Sequence, residues 1–161
     1  MAILLLDEVP EAFDIERDGD GFVCSIHVCE CTGGDQIVSL DCRLDRMPEA
    51  DPETFEFSFS FVVASIETAE LPCSTQDRYD VRRYFDGQSI ELMLPTVCAA
   101  LTALVDEVQP AYIYRVTKGR NLPQKALVKH KAITDVLYSA GYGELDSGTD
   151  SYGRMFLLMA R

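Results

Sequence analysis

The sequence is poor in several features on which common functions depend. It has only two histidines, which limits metal-binding and general-base schemes, and 14 basic residues against 27 acidic ones. The longest apolar run near its start, residues 2–6, is far too short to cross a bilayer, and no basic leader or small-residue cleavage site accompanies it. Phosphate-binding loops, dinucleotide fingerprints, zinc-protease motifs and serine-nucleophile motifs are also absent from the sequence. We therefore expect a cytoplasmic protein without a common catalytic motif.

What is present is the composition of one globular domain. The chain has 161 residues, of which 47% are hydrophobic and 25% are charged. This is enough apolar material for one buried core and not comfortably for two. No repeat, low-complexity tract or long linker interrupts it. We therefore expect a single domain over residues 1–161, with an acidic, strand-rich part at 1–94 and a second part at 95–161.

The first part has the two-residue period of β-strands. Between Phe55 and Val63 large apolar residues alternate with smaller or polar ones, which predicts a strand with one buried face. Glycine-containing turn signals at 18–21, 33–34 and 86–87 separate the apolar runs and predict hairpins. The predicted strands are Ala12–Arg17, Gly21–Cys31, Gln36–Leu44, Phe55–Val63, Arg78–Phe85 and Gln88–Leu94.

The second part changes to the three- and four-residue spacing of helices. Pro95 is expected to open a helix that Gln109-Pro110 ends, and Leu122-Pro123 a second helix that ends before Gly141. The predicted strands of this part are Tyr112–Val116 and Met155–Met159. The fold class is therefore α+β: a mostly antiparallel, strand-rich half followed by helix, strand, helix and strand on a mixed sheet.

Negative charge is concentrated in the first half of the chain. Residues 1–80 hold 19 acidic and 4 basic residues, a net charge of −15, whereas residues 81–161 hold 8 and 10, a net charge of +2. A field of this sign repels nucleic acid and acidic membranes and attracts a basic protein. The alternative is a solvated surface that maintains solubility. The candidate partner-binding residues are Asp14, Glu16, Asp18, Asp20, Glu49, Asp51 and Glu53.

A basic cluster lies in an acid-free stretch of the second half. Residues 115–131 include six basic residues and no acidic one. Cations beside a helix N-terminus can hold a phosphate or a carboxylate. The candidate anion ligands are Lys118, Arg120, Lys125 and Lys129. The alternative is a contact with the acidic first half. His130 falls on the apolar stripe of the second helix, where we expect a hydrogen-bonded core histidine.

The six cysteines are expected to be reduced thiols. The weak candidates for a metal site are His27, Cys29, Cys31 and Cys42, which lack paired C-x-x-C spacing. A three-residue loop at 33–35 would pair Leu40 with Val28 and Cys42 with Ile26. Cys42 would then lie in the core, on the opposite face of the sheet from Cys29 and Cys31. We therefore predict no metal site.

Residues 88–161 resemble the C-terminal half of the GCN5-related N-acetyltransferase fold. The element order is similar, and so are the run Leu137–Tyr142 and the closing strand Gly153–Met159. The resemblance implies acetyl-coenzyme A as the cofactor, Tyr138 as the general acid, and part of the basic cluster as the ligand of the cofactor phosphates. The family's glycine-rich pyrophosphate loop has no counterpart in the run Glu91–Val97.

These features favour a protein that acts by binding rather than catalysis. We expect an acidic interaction or inhibitor protein, without a cofactor, that binds a basic surface of a protein partner such as a nucleic-acid-binding or host-defence protein. Small acidic proteins of phages and mobile elements act in this way, and the analogy rests on charge and size. The first alternative is an acetyl-coenzyme A-dependent N-acyltransferase. The second is an oligomeric structural protein that assembles through the Phe55–Val63 strand at a sheet edge.

Overall fold

Strands from both halves of the chain form one sheet, and two helices complete the core. The structure is a computed structural model that describes residues 2–31, 36–65, 73–75, 85, 87–117 and 124–161. The helices of this part of the chain are α1 (Gly87–Val108) and α2 (Gln124–Ser139). Its strands are β1 (Ala2–Leu4), β2 (Ile15–Asp18), β3 (Gly21–Cys31), β4 (Gln36–Arg46), β5 (Phe55–Ser65), β6 (Cys73–Thr75), β7 (Tyr112–Val116), β8 (Gly143–Thr149) and β9 (Met155–Ala160).

The strand order is β1-β3-β4-β5-β7-β9-β8, with β2 also paired to β3 and β6 also paired to β5. The β5–β7 pair is parallel and the other described pairs are antiparallel. The predicted α+β class, with a strand-rich N-terminal half and a mostly antiparallel sheet, is confirmed. Because β5 pairs with β4 on one side and with β6 and β7 on the other, it is not the edge strand that the oligomer hypothesis requires.

Alternation along the central strands explains the core. Every second residue of β4, from Val38 to Leu44, is fully buried, while the residues between them are partly exposed. Helix α1 lies against β3 and β4 and buries residues spaced as the helical period predicts. Its buried residues are Thr96, Val97, Ala100, Leu101, Leu104 and Val105.

The predicted hairpin around Asp86-Gly87 is wrong at its second strand. Residues Gln88–Leu94 belong to α1, which begins before Pro95 rather than at it. Helical spacing of apolar residues continues back from Val97 to Met93, and both belong to the packed core. Burial of this longer stripe outweighs the local turn signal and the hydrogen bond that Pro95 removes. The other predicted strand, Arg78–Phe85, lies outside the described residues except at its last position.

The pairing of β3 with β4 also differs from the prediction. Cys42 is buried as expected, but it lies opposite Cys24 rather than Ile26. A β-bulge between His27 and Cys29 shifts the register, and Cys29 is fully buried with Cys42 instead of facing the other way. A bulge adds one residue to one strand, so a strict two-residue period fails across it.

Differences at other elements are smaller. Strand β2 begins at Ile15 rather than Ala12, and β8 was not predicted, because its residues are all exposed and only Leu145 among them is apolar. The predicted end of α2 is confirmed: Gly141 has φ of 91° and Tyr142 N–H donates to Leu137 O in a Schellman arrangement. Neither described helix is long and apolar enough to cross a membrane.

Candidate functional site

An open pocket of about 410 Å³ lies where α2 meets the ends of β7, β8 and β9. Its lining includes one arginine, Arg115, and one histidine, His130. Four hydroxyl side chains also belong to the lining: Thr117, Thr134, Ser147 and Thr149. The described lining contains no carboxylate, although the whole chain has 27 acidic residues. The pocket therefore differs in charge from the rest of this acidic protein.

Strand alternation places Arg115 at the base of the pocket. Ile113 and Arg115 share one face of β7, and Ile113 is fully buried in the core. Across the sheet Arg115 lies opposite Leu157 of β9, and Ser147 of β8 lies opposite Leu157 in turn. Helix α2 covers this face with His130 and Thr134, which leaves only 8% of Arg115 exposed.

Arg115 is held by neutral acceptors on α2. Its Nη1 donates to the backbone oxygen of His130 at 3.3 Å and to Thr134 Oγ1 at 3.0 Å. Its Nη2 contacts His130 Nδ1 at 3.1 Å. Thr134 Oγ1 in turn donates to the same His130 backbone oxygen at 2.8 Å. These contacts position the guanidinium and satisfy part of its hydrogen-bonding capacity, but they do not neutralise its charge.

In the described part of the chain Arg115 has no carboxylate counterion. The ion pairs there join other residues. Cys98 is the one group whose charge would favour the Arg115 cation, but burial raises the pKa of that thiol, so it is neutral near pH 7. Burial lowers the pKa of Arg115 to about 10, which still leaves it charged at pH 7. The result is a buried, uncompensated cation beside a pocket.

His130 is neutral and its tautomer is fixed by Arg115. An arginine side chain can only donate hydrogen bonds, so the Nδ1 atom of His130 must accept and the ring proton lies on Nε2. Burial lowers the pKa of His130, and the neighbouring charges of Arg115 and Lys129 lower it further. The predicted hydrogen bonding of His130 agrees with these contacts, but the side chain is half-buried beside the pocket and does not belong to the core.

Most of the predicted anion ligands are not among the side chains that the structure describes. Lys118, Arg120 and the side chain of Lys125 lie outside the described residues. Lys129 is exposed on α2, next to His130 in sequence. Tyr138, also on α2, is 47% exposed and is not one of the pocket's described lining residues. Arg115 belonged to the predicted basic cluster but not to the predicted ligands; its signal was alternation with Ile113, which puts it on the buried face of β7.

A second distinctive region is an acidic sheet end. The β2–β3 turn, the end of β4 and the β4–β5 connection meet there, because Asp18 pairs with Gly21, Phe22 with Leu44 and Arg46 with Phe55. We call this region, with Asp45, the acidic end. It brings together five predicted partner-binding residues: Asp18, Asp20, Glu49, Asp51 and Glu53. The remaining two, Asp14 and Glu16, lie farther along the chain before and in β2.

Arginines neutralise only part of the acidic end. Arg43 Nη2 lies 2.7 Å from Asp18, and Arg43 Nε lies 3.2 Å from Asp45. Arg46 Nε lies 3.0 Å from Glu53. Within the described residues the other three predicted acids of this region have no ion-pair partner, and all are exposed: Asp20, Glu49 and Asp51. The acidic end therefore presents unpaired negative charge to solvent.

The candidate metal ligands whose side chains the structure describes do not converge. His27 is exposed and lies opposite Ser39, whereas Cys29 and Cys42 are buried in the core. The side chain of Cys31 lies outside the described residues. Across the described part of the chain, no group of three or more histidine, cysteine or acidic side chains is arranged to hold a metal ion.

Comparisons with known proteins found no relative of this chain. No protein-family model, curated protein sequence or solved structure matches the chain. Functional inference therefore rests on the residues of the pocket and of the acidic end.

Proposed function

We propose that this protein binds a small anionic molecule in the pocket beside Arg115. The observation that supports the proposal is the burial of Arg115, 8% exposed, without a carboxylate partner among the described residues. Moving a charge out of water is costly, so buried charges in proteins are ordinarily paired. An anion in the pocket would supply the missing counterion and recover part of this cost.

The size and lining of the pocket fit a metabolite rather than a macromolecule. A volume of about 410 Å³ lies at the small end of the usual range for small-molecule sites. Three of its four hydroxyl side chains already have described hydrogen-bond partners, whereas Arg115 retains unused donors. Arg115 is therefore the group we expect to hold the anion.

The experiment is a titration of the purified protein, followed by the ¹⁵N–¹H spectrum, with acetate, inorganic phosphate and acetyl-coenzyme A. We expect at least one anion to give saturable shifts in pocket amides, and Arg115→Met to abolish them. Arg17→Met is the matched control, because Arg17 is an exposed arginine on β2, outside the pocket lining. Equal binding by both variants, or no saturable binding of any probe, would overturn the proposal.

The transferase hypothesis is tested by the same titration. It requires acetyl-coenzyme A to bind with higher affinity than acetate or phosphate and to shift signals near Tyr138 as well as in the pocket. The structural observations that favour an anion site concern Arg115, and none of them involves Tyr138. We therefore propose binding, not acyl transfer, as the activity of this pocket.

We propose as a second function that the acidic end binds a basic surface of another protein. Support comes from the meeting of three acidic segments that are separate in the chain, with Asp20, Glu49 and Asp51 unpaired among the described residues. Clustered negative charge speeds and orients the association of a positively charged partner. The attraction of a basic partner, predicted from charge alone, is thereby assigned to one surface of the protein.

A labelled oligolysine peptide serves as the probe for this surface. The test variant combines Asp20→Asn, Glu49→Gln and Asp51→Asn. The control variant combines Glu30→Gln, Glu91→Gln and Asp146→Asn, which removes the same charge from separate exposed positions. We expect the test variant to weaken binding at low salt more than the control. Equal weakening would mean that net charge alone attracts the peptide, and the assignment to the acidic end would be wrong.

A further inference from the structure

Resting on the proposed anion pocket, we infer that its ligand is a small aliphatic monocarboxylate, bound through both oxygens to the Nε and Nη2 edge of Arg115. Three observations lead to this ligand class: the donors that Arg115 has left, the net charge of the pocket, and the apolar residues beside the arginine.

The hydrogen bonds of Arg115 leave two of the five N–H donors of its guanidinium unused. The group has five N–H donors, and three contacts to α2 are described: two from Nη1 and one from Nη2. This leaves Nε–H and the second N–H of Nη2. In arginine Nε–H is parallel to the Nη2–H of the same edge, and the two are spaced to meet both oxygens of a planar carboxylate.

The charge of the pocket matches one negative charge. Arg115 supplies one full positive charge, and His130 is neutral because its Nδ1 accepts from Arg115. A monocarboxylate balances this charge. A phosphate monoester carries up to two negative charges near pH 7. Its additional charge would have no partner among the described lining residues, in a protein with a net charge of −13.

Apolar residues stand beside the arginine. Leu157 lies directly opposite Arg115 on β9, and Met155 is two residues away on the same face of that strand. Both line the pocket, and Met155 is 42% exposed. A short hydrocarbon chain on the carboxylate would cover this surface. We therefore expect affinity to rise with chain length.

The experiment compares acetate, butyrate, inorganic phosphate and the neutral analogue butan-1-ol on the full chain by the same spectra. We expect butyrate to bind about fourfold more tightly than acetate, as burial of about one methylene group would give. Phosphate and butan-1-ol should bind more weakly than either carboxylate. The shifted signals should include the amides of Arg115, Thr117 and Thr149.

Two variants test the geometry. Arg115→Lys keeps the charge but cannot form the two parallel bonds, so it should weaken butyrate binding by about tenfold or more. Arg115→Met should remove binding. A native-like spectrum of this variant would show that the chain still folds. Full affinity in Arg115→Lys would overturn the bidentate arrangement.

The experiment distinguishes failure of the carboxylate assignment from failure of the anion pocket itself. If phosphate binds as tightly as butyrate and Arg115→Met abolishes both, the carboxylate assignment is wrong and the anion pocket stands. If butan-1-ol binds as tightly as butyrate, the site is apolar and both inferences fail. If no anion gives saturable shifts, both fail as well.

Discussion

Arg115 and His130 determine each other's chemical state. The guanidinium needs an acceptor at Nδ1, and the imidazole provides one only while it is neutral. Protonation of His130 would place an N–H donor against another donor and bring two positive charges together. The lowered pKa of His130, which results from burial and from the charges of Arg115 and Lys129, expresses this conflict.

This conflict predicts a pH dependence of stability. The folded-state pKa of His130 lies below its ordinary value of 6.5, so the unfolded chain takes up this proton first as the pH falls. The contribution of neutral His130 is complete above about pH 6.5 and decreases as the pH drops towards the folded-state pKa. We expect the free energy of unfolding to fall more steeply below that pH in the wild type than in His130→Asn.

Urea unfolding at several pH values between about pH 5 and pH 7.5 measures the difference. Asparagine keeps an acceptor in place of Nδ1 but does not titrate, so acidic residues elsewhere contribute equally to both curves. Parallel curves for the two proteins would show that His130 does not carry this dependence.

At the scale of secondary-structure elements, α1 contains a buried hydroxyl group without a described hydrogen-bond partner. Thr96 is fully buried, and its Oγ1 is the one buried side-chain polar atom in the described residues without a hydrogen-bond partner. It follows Pro95, at which the sequence predicted the helix to begin, but α1 already begins at Gly87, so Thr96 lies in the helix interior. An orphan hydroxyl in a core costs free energy that an apolar group of the same shape does not.

We therefore predict that Thr96→Val raises the free energy of unfolding by about 1 kcal/mol. Valine has nearly the same shape, so packing against β3 and β4 is preserved. Thr102→Val on the same helix is the matched control, because Thr102 is exposed and its Oγ1 donates to Cys98 O. Chemical denaturation measures both variants, and a Thr96→Val protein no more stable than wild type would contradict the prediction.

Elements with a strong period were the ones that the sequence could predict. Turn signals bounded Gly21–Cys31 and a β-rich run predicted Tyr112–Val116, both with the limits that the structure has, and Gly141 marked the end of α2. The start of α1 and the bulge in β3 depend on tertiary packing, which local signals do not contain. Strand β8 has no apolar period, because it lies at the sheet edge and is exposed along its whole length.

The sequence predicted that basic residues lie near the site, but not that Arg115 lacks a counterion. Sequence alone placed Arg115 in a basic cluster but not among the candidate ligands, although its alternation with Ile113 indicates the buried side of β7. The missing counterion is a property of the three-dimensional contacts, since it depends on what α2 and β9 bring to that position. In the same way, the acidic end can be recognised only once the register of β3, β4 and β5 is known.

At the scale of the whole molecule, negative charge opposes folding. A net charge of −13 repels itself more strongly in the compact state than in the unfolded chain. The repulsion is greatest where acids meet without partners, as at the acidic end. The Asp18–Arg43–Asp45 and Arg46–Glu53 pairs relieve it only locally.

Removing acids from the acidic end should relieve this repulsion and stabilise the fold. The combined change Asp20→Asn, Glu49→Gln and Asp51→Asn should raise the free energy of unfolding at about 10 mM salt, where charges interact over about 30 Å. The gain should be about 1 kcal/mol and should nearly vanish at about 1 M salt, where screening reduces that distance to about 3 Å. The dispersed change Glu30→Gln, Glu91→Gln and Asp146→Asn should give a smaller gain, since those acids lie apart.

Thermal or urea unfolding at both salt concentrations measures the two variants beside the wild type. Equal gains would mean that total charge, rather than its concentration at the acidic end, determines the stability. If the clustered variant is both more stable and weaker in binding oligolysine, the same carboxylates that destabilise the fold are those that attract a basic partner.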